Sequence, residues 1–329
     1  MAVPLTIACR PYDRVVALLT GSVRIEGCDV TILPLQAEEM FHRAYARAEF
    51  DVTELSMSSH IITTEMQASA YVGIPVFISR MFRHSAIYVR TDREITEPAH
   101  LRGKLLGVPE YQMTAALWVR GMLSDMFGVK AEQIAWRTGG LHKPGRQEKF
   151  NLTFPSQFDV QPIPPDMTLN ALLETGVLDG IVSARPPRCF LSGAAPIQRL
   201  FPDFVEEERA YYRQTGLFPI MHLIGVRRSL LDRHPWLASS LFKAFSEAKA
   251  ACIAAVEDDN ALQVLLPWSL WDYAQTIQLM GHDYWPYGRT KNAKVLETML
   301  RYSREQGLTR KGLNVAELFA PCEEEKPGA

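Results

Sequence analysis

The chain has no CxxC pair, no HExxH segment and neither of the glycine-rich phosphate loops, GxGxxG or GxxxxGK[ST]. The missing loops argue against a nucleotide cofactor. The five cysteines (Cys9, Cys28, Cys189, Cys252, Cys322) are odd in number and scattered, which suits neither a disulfide framework nor a zinc knuckle, so reduced thiols are expected. No apolar run approaches the ~20 residues of a membrane span. The start, Met1-Ala2-Val3-Pro4-Leu5, lacks the basic residues and the apolar stretch of a secretory leader, and a cytoplasmic protein without a membrane partner is expected. A formal net charge of -2 supplies no basic field for phosphates, so no nucleic-acid partner is expected. No repeat of fixed period is visible.

What is present is an ordinary globular composition, 47% hydrophobic and 22% charged, over 329 residues, enough for two domains. The charged end Glu323-Glu324-Glu325-Lys326-Pro327 reads as frayed. Strand-like runs at Leu5–Cys9, Val30–Leu33, Phe50–Leu55, Ile74–Ile78, Ala86–Val89, Leu101–Val108, Gly180–Ser183 and Phe218–Val226 alternate with helical periodicity at Tyr12–Leu19, Ala37–Ala48, Met113–Phe127 and Leu169–Thr175. Ser56–His60 reads as a small polar turn. Such β–α alternation predicts largely parallel sheets with helices on both faces. Ligands of parallel α/β sheets sit beyond the carboxyl ends of strands. That rule nominates the loops 10–12, 56–60, 80–84, 110–114 and 183–188.

The order of motifs resembles the type II periplasmic-binding-protein architecture. Leu101-Arg102-Gly103-Lys104 followed by Gly107-Val108, a polar loop and a helix is similar to the start of its second lobe. Four segments resemble the 4,5-dihydroxyphthalate decarboxylase family: Ser79-Arg80-Met81-Phe82-Arg83-His84-Ser85, Thr114-Ala115-Ala116-Leu117-Trp118-Val119-Arg120-Gly121, Thr215-Gly216-Leu217-Phe218-Pro219-Ile220-Met221-His222 and Asp283-Tyr284-Trp285-Pro286-Tyr287-Gly288. The resemblance implies an α/β fold of two lobes around a central cleft with crossing strands, drawn here as 1–88 plus 223–329 and 89–222. It also implies a cytosolic carboxy-lyase of aromatic catabolism, turning 4,5-dihydroxyphthalate into protocatechuate and carbon dioxide. The competing reading of the same scaffold is a non-catalytic solute-binding protein for an aromatic acid.

Individual residues carry both readings. Arg10, Arg80 and Arg185 each follow a predicted strand, where a guanidinium fork can grip a carboxylate, as a small aromatic dicarboxylate would require. Arg83 is the arginine better placed to pair elsewhere. The bland alternative for each is a surface ion pair. Tyr12 and Tyr111 can stack on a ring, while Ser56, Ser58 and the helix start at Thr114 can donate to an anion. His60 can touch the substrate, and His84 and His222 can exchange protons near neutral pH. The bland alternative for a histidine is a strand-end ring bonded to backbone.

Ring decarboxylation is hard because the electrons of the departing bond lie in the ring plane. Protonating the ring carbon, with the para phenol deprotonated, removes that obstacle. The expected assignment is His84 as acid, His222 as base or orienter, arginines as clamps, and Glu110 as the alternative acid; the two histidines are interchangeable on sequence grounds. No cofactor is needed for this chemistry. The alternative is a divalent metal such as zinc or manganese, held by the three histidines with Glu110 or Asp283. A homo-oligomer is compatible with the chain.

Overall fold

A computed structural model describes residues 2–323, so the charged end from 324 onward lies outside the described residues. In chain order the first elements are β1 (Val3–Cys9), α1 (Val16–Leu19), β2 (Cys28–Pro34), α2 (Ala37–Arg47), β3 (Val52–Ser56), α3 (Met57–Glu65) and β4 (Tyr71–Arg80). Next come β5 (Ile87–Arg90), β6 (Leu105–Val108), α4 (Thr114–Phe127), β7 (Ala135–Thr138), β8 (Val160–Pro162), α5 (Leu169–Glu174), β9 (Gly180–Val182), α6 (Arg188–Leu191), β10 (Ile197–Arg199) and α7 (Phe204–Thr215). The chain closes with β11 (Ile220–Arg227), α8 (Arg228–Arg233), α9 (Leu237–Glu257), α10 (Ser269–Met280) and α11 (Ala293–Glu305). Among the described residues no helix is long and apolar enough to cross a membrane.

Two compact units result. The first is Met1–Arg80, Ile220–Leu296 and Asn314–Ala329; the second is Met81–Pro219 and Glu297–Leu313. These limits differ from the junctions drawn at 88/89 and 222/223, and they assign 297–313 to the second unit. The reason for the latter lies in side chains far apart in sequence. The Tyr302 ring meets Trp118 edge-on with centroids 5.6 Å apart, its hydroxyl donates to Asp125 at 2.6 Å, and Arg120 Nε donates to Gln306 Oε1 at 2.7 Å.

The sheet of the first unit has the order β2-β1-β3-β11-β4. β1 runs parallel to β2 and β3, whereas β11 is antiparallel to both β3 and β4, so this sheet is mixed rather than largely parallel. The antiparallel strand is the one on which the chain re-enters the unit. β4 lies at the edge, which is where Pro75, lacking an N–H, is tolerated. The C-terminal segment covers that edge: Ala320 N–H donates to Gly73 O at 2.8 Å. The approach requires a glycine, since a Cβ at Gly73 would lie 2.8 Å from Leu318 O.

The second sheet has the order β10-β5-β9-β6-β7-β8, parallel from β9 to β8, with β5 and β10 antiparallel. Its helix α4 is buried on every side over residues 114–123, as its almost wholly apolar sequence demands, and it ends at Gly128 with φ 65°.

Two local expectations change. Ser56 closes β3, and 57–65 is a helix rather than a turn. Residues 57–63 of α3 are buried, and that packing outweighs the modest helix propensity of Ser, His and Thr. The helix expected over 12–19 is a 3-10 turn at Asp13–Val15 followed by the single turn α1.

Gly121 of α4 lies where an added Cβ would sit 2.2 Å from the Tyr302 ring. Alanine gains about 1 kcal/mol of helix propensity, but overpacking costs about 1–3 kcal/mol, and Tyr302, pinned by Trp118 and Asp125, cannot retreat freely. Gly121→Ala is therefore expected to lower the urea midpoint, and an unchanged or raised midpoint would refute the packing argument.

Candidate active site

β3 carries a carboxylate inside a strand whose five residues are all buried. Glu54 is 0% exposed, and a charge so buried must be satisfied by donors. Three supply it. Arg10 N–H, one residue past β1, reaches Oε2 at 3.0 Å; the Tyr12 hydroxyl reaches Oε1 at 2.7 Å; His222 Nδ1 on β11 reaches Oε1 at 2.6 Å. Burial alone would push the Glu54 carboxyl up, but the His222 bond and charge, with Arg10 N–H and the Tyr12 hydroxyl, hold it below the ordinary carboxylate range. A carboxylate only accepts, so Nδ1 carries the hydrogen of this bond, and in the neutral form of His222 the lone pair is on Nε2.

The strand register fixes the ring. His222 stands opposite Ser56 of β3 and Ser79 of β4, and Phe41 of α2 meets its imidazole edge-on with centroids 4.9 Å apart. Tyr12 is held from its other side by Arg14, whose guanidinium lies 4.1 Å from the Tyr12 ring and 4.4 Å from the Trp285 ring and donates through Nε to Ile78 O at 2.6 Å. The Arg10 guanidinium lies 5.6 Å from the Tyr12 ring centroid, and among the described residues no carboxylate pairs with it. Burial, then the Glu54 charge, pushes the Tyr12 phenol above its ordinary value, and the same two causes push the neighbouring Cys9 thiol up to about 12. Cys9 is consequently no nucleophile at neutral pH. The set can therefore take a proton at an oriented imidazole beside an uncommitted cation.

Arg10, Tyr12 and His222, nominated from sequence, thus gather around one carboxylate that sequence reasoning overlooked, and Ser56 stands opposite His222 in the strand register. The available signal was Glu54 itself, an acid amid Val52, Thr53 and Leu55.

Other nominated residues are committed inside their units. The Arg80 guanidinium is buried and donates to Pro286 O at 2.9 Å and to Asn292 Oδ1. His60 is fully buried, with Nε2 donating to Leu318 O at 2.8 Å, and burial drives its pKa down to about 4. Ser58 lies buried in α3.

In the second unit His84 is buried between Phe201 and Tyr211, with ring centroids 5.4 and 5.3 Å away, and burial lowers its pKa to about 4. Burial thus favours the neutral form of the ring expected to serve as the acid. Glu110 accepts from Arg146 at 2.6 Å and from Lys149 at 2.6 Å, so both its oxygens are engaged. Thr114 begins α4 in a buried position, and the amides just before it, at Tyr111 and Gln112, are taken by the Glu148 carboxylate. Tyr111 is itself buried, beneath the Arg120 guanidinium. Arg185 is exposed beyond β9.

Among the described residues no three His, Cys, Asp or Glu side chains gather as a metal site would need. Asp283, like Glu110, faces two cations, Lys291 at 2.6 Å and Lys249 at 3.5 Å.

The fold is that of type II periplasmic binding proteins. The periplasmic aliphatic sulphonate binding protein SsuA from Escherichia coli superposes with a TM-score of 0.55 at 14% identity, over 97% of this chain and 98% of that one. No family model matches the sequence. Whole-chain relatives are decisive. The chain is 42% identical over 318 residues to the 4,5-dihydroxyphthalate decarboxylase of Comamonas testosteroni, covering 97% of this chain and 96% of the relative. It is 41% identical over 209 residues to that of Pseudomonas putida, covering 64% and 81% respectively. It belongs to the 4,5-dihydroxyphthalate decarboxylase family.

The buried His60 generates a test of these surroundings. Free histidine titrates near 6.5. In the folded chain His60 stays neutral down to about 4. Between those values the unfolded chain binds a proton that the folded chain refuses, so stability falls as pH falls through this window and the loss is complete below about 4. His60→Gln removes that contribution. The stability gap between wild type and variant, read from urea midpoints, is expected to narrow from pH 7 to pH 4, and a constant gap would contradict the assignment.

Proposed function

We infer that this protein is a carboxy-lyase that converts 4,5-dihydroxyphthalate to protocatechuate and carbon dioxide in phthalate catabolism. The reaction comes from its membership of the family, and the observation that carries its chemistry is the Glu54–His222 pair beside the unpaired Arg10 guanidinium.

Each carboxylate of the substrate stands para to a hydroxyl. His222 Nε2 takes the proton of the phenol para to the departing group, and the resulting electron density moves to the ring carbon that bears that carboxylate. A proton bonds to this carbon, the carbon–carboxylate bond breaks, and its electron pair restores the aromatic ring as carbon dioxide leaves. The phenolate oxygen then takes its proton back from the His222 imidazolium, so that the net uptake is the one proton from solvent that bonds to the ring carbon. Glu54 fixes the tautomer of His222 and steadies the imidazolium. Arg10 clamps the carboxylate that stays, and the Tyr12 ring offers a face to the aromatic substrate. A base, an anion clamp and a proton source suffice, so no cofactor is assigned. The setting is the cytoplasm, in keeping with five free cysteines, two of them buried.

Purified protein mixed with 4,5-dihydroxyphthalate is expected to release carbon dioxide in step with the change in the ring's ultraviolet spectrum. Tight binding with neither change would instead identify a solute-binding protein. His222→Ala and Glu54→Gln are each expected to lower kcat by about 10²–10⁴-fold; near wild-type turnover in either removes the pair from the mechanism. Arg10→Met, which loses a charged clamp, is expected to raise KM by roughly 10–100-fold, and an unchanged KM would place the clamp elsewhere.

A further inference from the structure

The segment from 258 to 280 in the first unit holds an apolar surface that none of the described residues covers. Leu265 is 103% exposed, Trp268 73% and Trp271 56%, with Leu262, Val264 and Leu266 also exposed beside them. Helix α10 buries no residue at all, although its mean composition is apolar. At roughly 150–250 Å² for a fully exposed large side chain, these six residues leave on the order of 700 Å² uncovered. The largest apolar patch on a monomer is about 300–600 Å², and each partner of a standard stable interface contributes about 800 Å². The patch is thus large for a lone chain and close to what one half of a dimer needs.

Its charge selects the occupant. Residues 258–280 include Asp258, Asp259 and Asp272 and not one Lys or Arg. A helix lying on a lipid surface carries Lys and Arg on its polar face, which this one lacks. The six exposed apolar residues can meet the same residues of a second copy, as an isologous interface requires, and exposed tryptophans among them are the residues that anchor protein interfaces. The segment is also firmly attached. α10 is tied to its unit by the Tyr273 hydroxyl, which donates to Glu257 of α9, and by the Tyr273 ring against Tyr284, centroids 6.0 Å apart. We propose that the 258–268 loop and α10 form the interface through which two copies of this chain pair about a two-fold axis.

Sedimentation velocity and light scattering of the full chain at about 10 μM, the weak end for an interface of this area, provide the test. Wild type is expected to run as a dimer or a multiple of dimers, and the double variant Leu265→Asp/Trp271→Glu as a smaller species with unchanged far-ultraviolet circular dichroism. Leu265→Ser/Trp271→Gln gives a milder reading at the same positions should the first variant fail to fold. A monomeric wild type overturns the proposal, including one that sediments with phosphatidylglycerol vesicles, and so does a well-folded variant pair that keeps the wild-type mass.

Discussion

The burial of the Glu54 charge is the constraint on which the first unit turns. A carboxylate withdrawn from water in the middle of a strand loses several kcal/mol of solvation unless every lone pair finds a donor. The three donors come from two separate stretches of chain: the Arg10 backbone and the Tyr12 side chain just after β1, and His222 on β11. Satisfying one charge therefore fixes how β1, β3 and the re-entering β11 meet. It also decides which nitrogen of His222 is bonded inward and which is left to act. Arg14, between the Tyr12 and Trp285 rings, extends the same constraint outward to the segment following α10.

Arg10, Tyr12 and His222 were legible before any coordinates because position after or within a recognisable strand is a local property, and the strand-end rule converts it into a location. Glu54 was not legible. Periodicity marks residues 52–55 as a strand but says nothing of which donors will face its third residue, since all three arrive from more than 40 positions away. Arg80, His60 and Ser58 show the converse failure. They also follow or flank strands, yet Asn292, Pro286 and Leu318, remote in sequence, are what engage Arg80 and His60. The same non-locality hid the attachment of 297–313 to the second unit, which rests on Tyr302 and Gln306 meeting α4. The small polar segment after β3 misled for a different reason. Its residues prefer turns in isolation, and only burial makes them a helix.

The second unit spends its polar groups inward. Arg120, fully within α4, donates to Tyr111 O at 2.6 Å and lies 3.7 Å from the Tyr111 ring, while Glu148 takes the Tyr111 amide from the other side. Glu110 is neutralised by Arg146 and Lys149. The turn before α4 is thereby held by its own charges. His84 is neutral in an aromatic pocket, 3.9 Å from Glu208, whose carboxyl burial lifts to about 7.

A solute-binding scaffold needs only donors placed around an anion. It does not need a buried acid paired with an imidazole. Replacing such a pair by well-packed apolar residues of similar volume is often neutral or stabilising in proteins, so a contribution to stability is a poor reason for Glu54 and His222 to occupy the centre of this sheet. A chemical reason is sufficient: the carboxylate supplies orientation and charge to a ring whose second nitrogen faces outward from the pair, which binding alone would not require. Places where a sequence breaks the rule of an apolar core are where function is to be sought, and in the first unit Glu54 of β3, paired with an imidazole, is such a place.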